Sequence, residues 1–146
     1  MIVLIVLFVF WFIFRFLGAL SVPYFLSWHD SAPYALAVMF LFTSVAHFNR
    51  LRHDLARMIP PKLPAPLAIV YVTGLLEIAG AVGLIIPHFR PIAANCLIVL
   101  LIAMFPANAY AAHSGATLGG KPVTPLWLRT PMQVLFVVLL WWSARK

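Results

Sequence analysis

The chain has 146 residues, of which 64% are hydrophobic and only 9% charged, and its mean hydropathy is +1.04. Soluble domains carry roughly 45–50% apolar and about 25% charged residues, and small folds leave much of their area exposed, so a soluble fold is excluded and lipid is the expected solvent. The formal net charge of +7 does not point to nucleic acid, because the Lys and Arg residues collect between and beside apolar runs, where they set topology and meet anionic headgroups.

A bilayer core of roughly 30 Å needs about 20 apolar helical residues, and five segments qualify. The first runs from Ile2 to Leu20, interrupted only by Arg15. Ala19 and Ser21 have the spacing of a cleavage site, yet no Lys or Arg precedes the run, so it reads as a retained helix rather than a signal peptide. Arg15 is expected to snorkel to the far interface. The second segment spans Pro33 to Phe48. Pro60, Pro61, Pro64 and Pro66 cannot continue a helix and mark the loop before the third, Leu67 to Pro87. Pro87 and Pro91 bracket a turn so short that the third and fourth segments must be antiparallel neighbours. The fourth covers Ile92 to Ala112. Gly115, Gly119, Gly120 and Pro122 mark the next loop. Thr124 and Pro125 read as the cap and first position of the fifth segment, Pro125 to Ser143. Thr130 and Pro131 repeat that pattern and predict either a kink one turn in or a shorter helix. Trp11, Trp28, Trp127, Trp141 and Trp142 fall mostly near segment ends, as interface anchors do. The single cysteine, Cys96, allows no internal disulfide, redox pair or zinc site and is expected to be a small buried hydrophobe.

The loop from Asn49 to Pro66 holds Arg50, Arg52, Arg57 and Lys62 against Asp54, and Lys121 and Arg129 share its face. Arg90, Arg145 and Lys146 lie on the other. Six against three predicts that the first face is cytoplasmic, with the N-terminus inside. The predicted fold is an all-α helical bundle forming a single membrane domain.

Ionisable side chains in a membrane segment are costly and usually face the bundle interior, where they pair or do work. Glu77 is the sharpest such signal. Gly74, Gly80 and Ala81 share its helical face, and small residues admit a neighbouring helix closely. The companions of Glu77 can be placed by depth. His47 lies in the last turn of segment two, Tyr71 one turn into segment three, and Asn108 about one turn from the end of segment four. Arg129 and Gln133 lie one and two turns into segment five. All fall in the same half of the bilayer at roughly 1.5 Å per residue. Thr43, Ser44 and His47 share one stripe, and Pro106 frees a carbonyl near Asn108. These residues predict either an intramembrane ligand or proton site, or a set of polar locks between helices, including an Arg129–Glu77 pair.

Four stretches carry a family likeness. Segment two ends in Ala46-His47-Phe48. Segment three, Tyr71 to Pro87, centres Glu77 among Gly74, Gly80 and Gly83 and closes on proline. Segment four contains Phe105-Pro106-Ala107-Asn108, and segment five opens with Trp127, Arg129, Thr130, Pro131 and Gln133. Over about Pro33 to Ser143 the chain resembles the DoxX family of small bacterial membrane proteins. The resemblance implies a four-helix core with Glu77 in a polar interior, at a bacterial inner membrane. It also implies a connection to redox systems, since the family takes its name from a subunit of a thiosulfate:quinone oxidoreductase. A quinone ligand and a membrane oxidoreductase partner follow as expectations. Segment one departs from the pattern as an extra helix at the front.

Three functions are expected from these features. In the first, Glu77, His47, Asn108, Arg129, Gln133 and Tyr71 line a pocket for a quinone-like or lipid-like molecule in an accessory subunit. In the second, Glu77 is the coupling group of a small proton-coupled transporter. The lack of an inverted repeat opposes this, although a homo-oligomer would compensate. In the third, the chain is a scaffold for a membrane partner. Unaided catalysis is not expected, because no phosphate loop, dinucleotide fingerprint, metal-ligand spacing or hydrolase elbow is present.

Overall fold

The computed structural model describes residues 2–145, and Lys146, counted above as a terminal cation, lies outside them. Six helices occur in this range: α1 (Ile2–Ala19), α2 (Trp28–Phe48), α3 (Arg52–Arg57), α4 (Pro66–Ile85), α5 (Arg90–His113) and α6 (Leu126–Ser143). All but α3 are long and apolar enough to cross a membrane. The protein is an all-α bundle.

Helix ends follow local chemistry. The Ser27 hydroxyl accepts from the Asp30 amide at 3.0 Å and donates to the Asp30 carboxylate at 2.7 Å, a reciprocal cap of the kind that starts helices. It starts α2 at Trp28, earlier than the Pro33 expected from apolar spacing. Pro33 is tolerated inside α2 because it removes only one backbone bond near the helix end. α4 begins on Pro66, after Ala65 in the left-handed region (φ 49°). α6 begins at Leu126, with Pro125 in the cap position, and runs unbroken past Pro131. The shorter-helix alternative is therefore wrong.

Four helices form the core ring. α2 packs on α4 and α6, and α5 joins α4 to α6. α1 lies against α2 outside that ring and adds Leu7 to the shared apolar core of Leu36, Met39, Phe40, Leu84, Leu97 and Leu140. The tight turn from Ile86 to Phe89 makes α4 and α5 antiparallel neighbours, as its length demanded. The Trp11 indole donates to the Trp28 carbonyl at 2.9 Å, which sets the middle of α1 beside the first turn of α2. Arg15 reaches the Trp28 ring, 5.9 Å from its centroid. The outward face is apolar, with Phe12, Phe16, Val72, Ile92, Val99 and Ile102 all exposed. Cys96 is also exposed, correcting the expectation of a buried thiol. It sits on the outer face of α5, away from the Ala94–Leu97 side that meets the core.

The connections are more ordered than a loop reading allows. α3 lies inside the basic 49–65 stretch. Thr117–Leu118 and Lys121–Pro122 form a two-residue antiparallel ladder, turned by Gly119 and Gly120 at φ 60° and 76°. Both turn residues need positive φ, which glycine supplies without steric cost. The Gly119 amide donates to the Asp54 carboxylate at 3.0 Å, tying the hairpin to α3.

Candidate functional site

Glu77 is buried, 5% exposed, between α4 and α2. The helices meet closely there because Gly74 has no side chain. A Cβ on it would come 2.5 Å from the His47 Cβ. The Thr43 hydroxyl donates to Glu77 Oε2 at 3.0 Å, and His47 Nε2 stands 3.8 Å from Oε1. His47 Nδ1 lies 2.7 Å from the Val70 carbonyl and 3.2 Å from the Thr73 hydroxyl. A carbonyl only accepts, so Nδ1 carries the hydrogen and Nε2 faces the carboxyl side. A proton placed between Nε2 and Oε1 serves either group. The gap is too long for a hydrogen bond.

A second polar group joins α5 to α6. Arg129 Nη1 donates to Asn108 Oδ1 at 2.8 Å, and Gln133 Nε2 donates to the Leu101 carbonyl at 2.8 Å. Arginine has donors only, so the Asn108 oxygen must face it and the Asn108 NH2 group must face away. Among the described residues that NH2 group has no hydrogen-bond partner.

Between the two groups lies a cavity of about 300 Å³ among α2, α3, α4 and α5. Its walls are apolar except for His47, Thr73 and Asn108. Leu55 and Met58 of α3, with Ile59, Pro60 and Leu63, close it at the loop end. Its size is at the lower edge of ligand pockets, which are mostly apolar with a few placed polar groups.

The six predicted residues therefore divide. His47 and Asn108 line the cavity. Glu77 backs His47 from behind. Arg129 and Gln133 do not reach the cavity, being spent on Asn108 and Leu101, and the expected Arg129–Glu77 pair does not form. Contacts of Gly80 with Leu97 and Gly83 with Ala93 set Glu77 opposite Leu100, and Asn108 lies eight residues further along α5, about 12 Å away in height. That spread keeps the Arg129 and Glu77 side chains apart. Tyr71 is corrected: it is exposed on the outer surface, its ring 6.0 Å from that of Phe48. One residue is 100° of helical rotation, so Tyr71 leaves the face that Val70, Thr73 and Glu77 share.

Sequence reasoning passed over Thr73 and the α3 lid. Thr73 was legible as a polar residue on the Val70–Glu77 stripe. Leu55 and Met58 carried a weak signal, an apolar i, i+3 pair inside a basic loop. Arg90 was counted as a loop cation but is buried. Its Nε donates to the Leu84 carbonyl at 2.9 Å, and its guanidinium lies 5.6 Å from the centre of the Tyr34 ring. Among the described residues no three His, Cys, Asp or Glu side chains gather where they would hold a metal ion.

No curated protein matches the chain, and no solved structure does. One family model, described as a domain of unknown function (DUF8561), matches residues 36–144. The match runs from within α2 to just beyond α6, taking in the cavity and both polar groups and leaving α1 outside. The chain belongs to the DUF8561 family.

Proposed function

We propose that this is a multi-pass protein of a bacterial inner membrane and that the α2–α4–α5 cavity binds a polar-headed apolar molecule, quinone-like or lipid-like. The protein acts as a non-catalytic accessory subunit beside a membrane redox partner. The observation that carries the reading is the Asn108 NH2 group, an uncommitted donor on the wall of a mostly apolar cavity that His47, backed by Glu77, also lines. A head bearing a carbonyl or hydroxyl oxygen suits this set, since Asn108 donates and His47 lies within the same walls. Glu77 lets His47 gain or lose a proton without leaving a lone charge. The DoxX likeness of the Glu77-centred run supports the redox association, and the apolar outer face supports the bilayer.

Native mass spectrometry of gently extracted protein tests this. The native chain is expected to retain a small molecule of quinone or lipid class. Ala107→Phe, which fills the cavity, is expected to lose it. Glu77→Gln keeps an acceptor for Thr43 and is expected to weaken retention. Absence of any retained molecule, or retention indifferent to both substitutions, refutes the reading.

One observation favours a second reading, the scaffold. Among the described residues no buried side-chain nitrogen or oxygen lacks a hydrogen-bond partner, as in a set of polar locks between helices. On that reading Glu77→Gln changes assembly or melting and leaves ligand retention untouched.

A further inference from the structure

A second hollow of about 420 Å³ lies on the outer seam between α4 and α5, and Leu100 lines both it and the cavity. On α4 the lining steps through Thr73, Leu76, Gly80 and Gly83. On α5 it steps through Ala107, Ala103, Leu100, Cys96 and Ala93. Each series advances by three or four residues, so each is one unbroken helical face. The two faces lie opposite because α4 and α5 are antiparallel and in contact at Gly80–Leu97 and Gly83–Ala93.

The two hollows adjoin at Leu100 and line up as a trough along the seam, with Val82, Ile86 and Ile92 exposed on its outer wall. From Val70 to Ile86 it is about 24 Å long at 1.5 Å per residue. Its polar side chains, His47, Thr73 and Asn108, are confined to the loop end. Beyond Leu100 the lining is apolar apart from the Cys96 thiol.

We infer that this seam holds the apolar tail of the ligand, so that the site takes a single-tailed amphiphile with its head at His47 and Asn108 and its tail along α4 and α5. The inference rests on the proposed head site. A compact polar solute would leave the trough unused, and a single trough takes a single tail. A tail gains little by exchanging lipid for an equally apolar wall. Its placement must come from close packing against the trough, which is why the position of the tail, rather than affinity alone, is the quantity to read.

Two photoreactive probes distinguish the sources of such a ligand. One is palmitic acid with a diazirine near its methyl end. The other is an isoprenoid quinone with a diazirine at its tail end. The full chain is placed in phosphatidylcholine nanodiscs, irradiated with each probe, and labelled peptides are mapped. The expected result is label at residues 92–96 and 79–82 in about tenfold excess over the lipid-facing side of α1 around Phe12 and Phe16, a preference of about 1.4 kcal/mol. The arm that labels identifies the source as fatty acid or quinone. Ala79→Trp, at an exposed trough position outside the core, is expected to abolish that excess while a short-tailed analogue is still retained. Equal labelling of α1 and the α4–α5 seam in both arms means ordinary annular lipid and overturns the tail site. If retention still depends on Ala107 in that case, the head site stands alone. If it does not, both fall.

Discussion

The contact between Gly74 and His47 gives the sharpest test of how the site is held. In Gly74→Ala the new Cβ would sit 2.5 Å from the His47 Cβ, 2.9 Å from its Cγ and 3.0 Å from Phe48 Cε2. The substitution gains about 0.5–1 kcal/mol of helix propensity. Overpacking costs about 1–3 kcal/mol, and shifting His47 off the Val70 carbonyl costs about 0.5–1.5 kcal/mol more. The net expectation is destabilisation by about 2 kcal/mol. The nearest obstacle is the His47 Cβ, which is present in every residue except glycine, so His47→Gly relieves the clash and His47→Ala does not. A double-mutant cycle of Gly74→Ala with His47→Gly is expected to show about 3 kcal/mol of compensation, since both penalties vanish and the propensity gain remains. The cycle with His47→Ala is expected to recover markedly less. Unfolding by sodium dodecyl sulfate titrated into mixed micelles, followed by tryptophan fluorescence, measures each corner. Additivity within about 0.5 kcal/mol in the glycine cycle would refute the close approach as the device that seats His47 against α4.

Arg129→Leu is expected to cost about 1–3 kcal/mol by leaving the Asn108 oxygen without its donor, and Arg129→Lys about half as much. Equal stability of the two variants in the same titration speaks against the pair. Arg90→Leu removes both the bond to the Leu84 carbonyl and the contact with Tyr34, an expected loss of about 2–4 kcal/mol. Tyr34→Phe keeps a ring face and is expected to cost much less. Asp54→Ala frees the Gly119 amide, so hydrogen exchange at Gly119 is expected to accelerate about tenfold. Unchanged exchange there means the hairpin is not held by α3.

Much of the bundle was legible because its determinants are local. Helix number and extent follow from apolar length and proline positions, and the Pro87–Pro91 turn forces α4 against α5 whatever else happens. The burial of Glu77 was also legible, since Gly74, Gly80 and Ala81 on its face announce a close neighbour. The start of α2 was misjudged because apolar spacing outweighed Ser27 and Asp30, although the cap was present in the sequence. α3 and the hairpin at Gly119–Gly120 were missed because short elements have little periodicity of their own and depend on contacts such as Asp54 to Gly119.

Read alone, the chain determined how many membrane-spanning helices there are, roughly where they lie, and that α2, α4, α5 and α6 carry polar groups towards the same end of the bundle. Partner choice was decided only in three dimensions. Rotation of α4 put Tyr71 outside and Thr73 inside. The register of α4 on α5 lowered Asn108 about two turns below Glu77, so Arg129 reached the amide and left the acid to His47 and Thr43. Rotation and register depend on how small side chains let backbones approach, at Gly74, Gly80 and Gly83. That is a property of two surfaces meeting, which neither helix holds by itself.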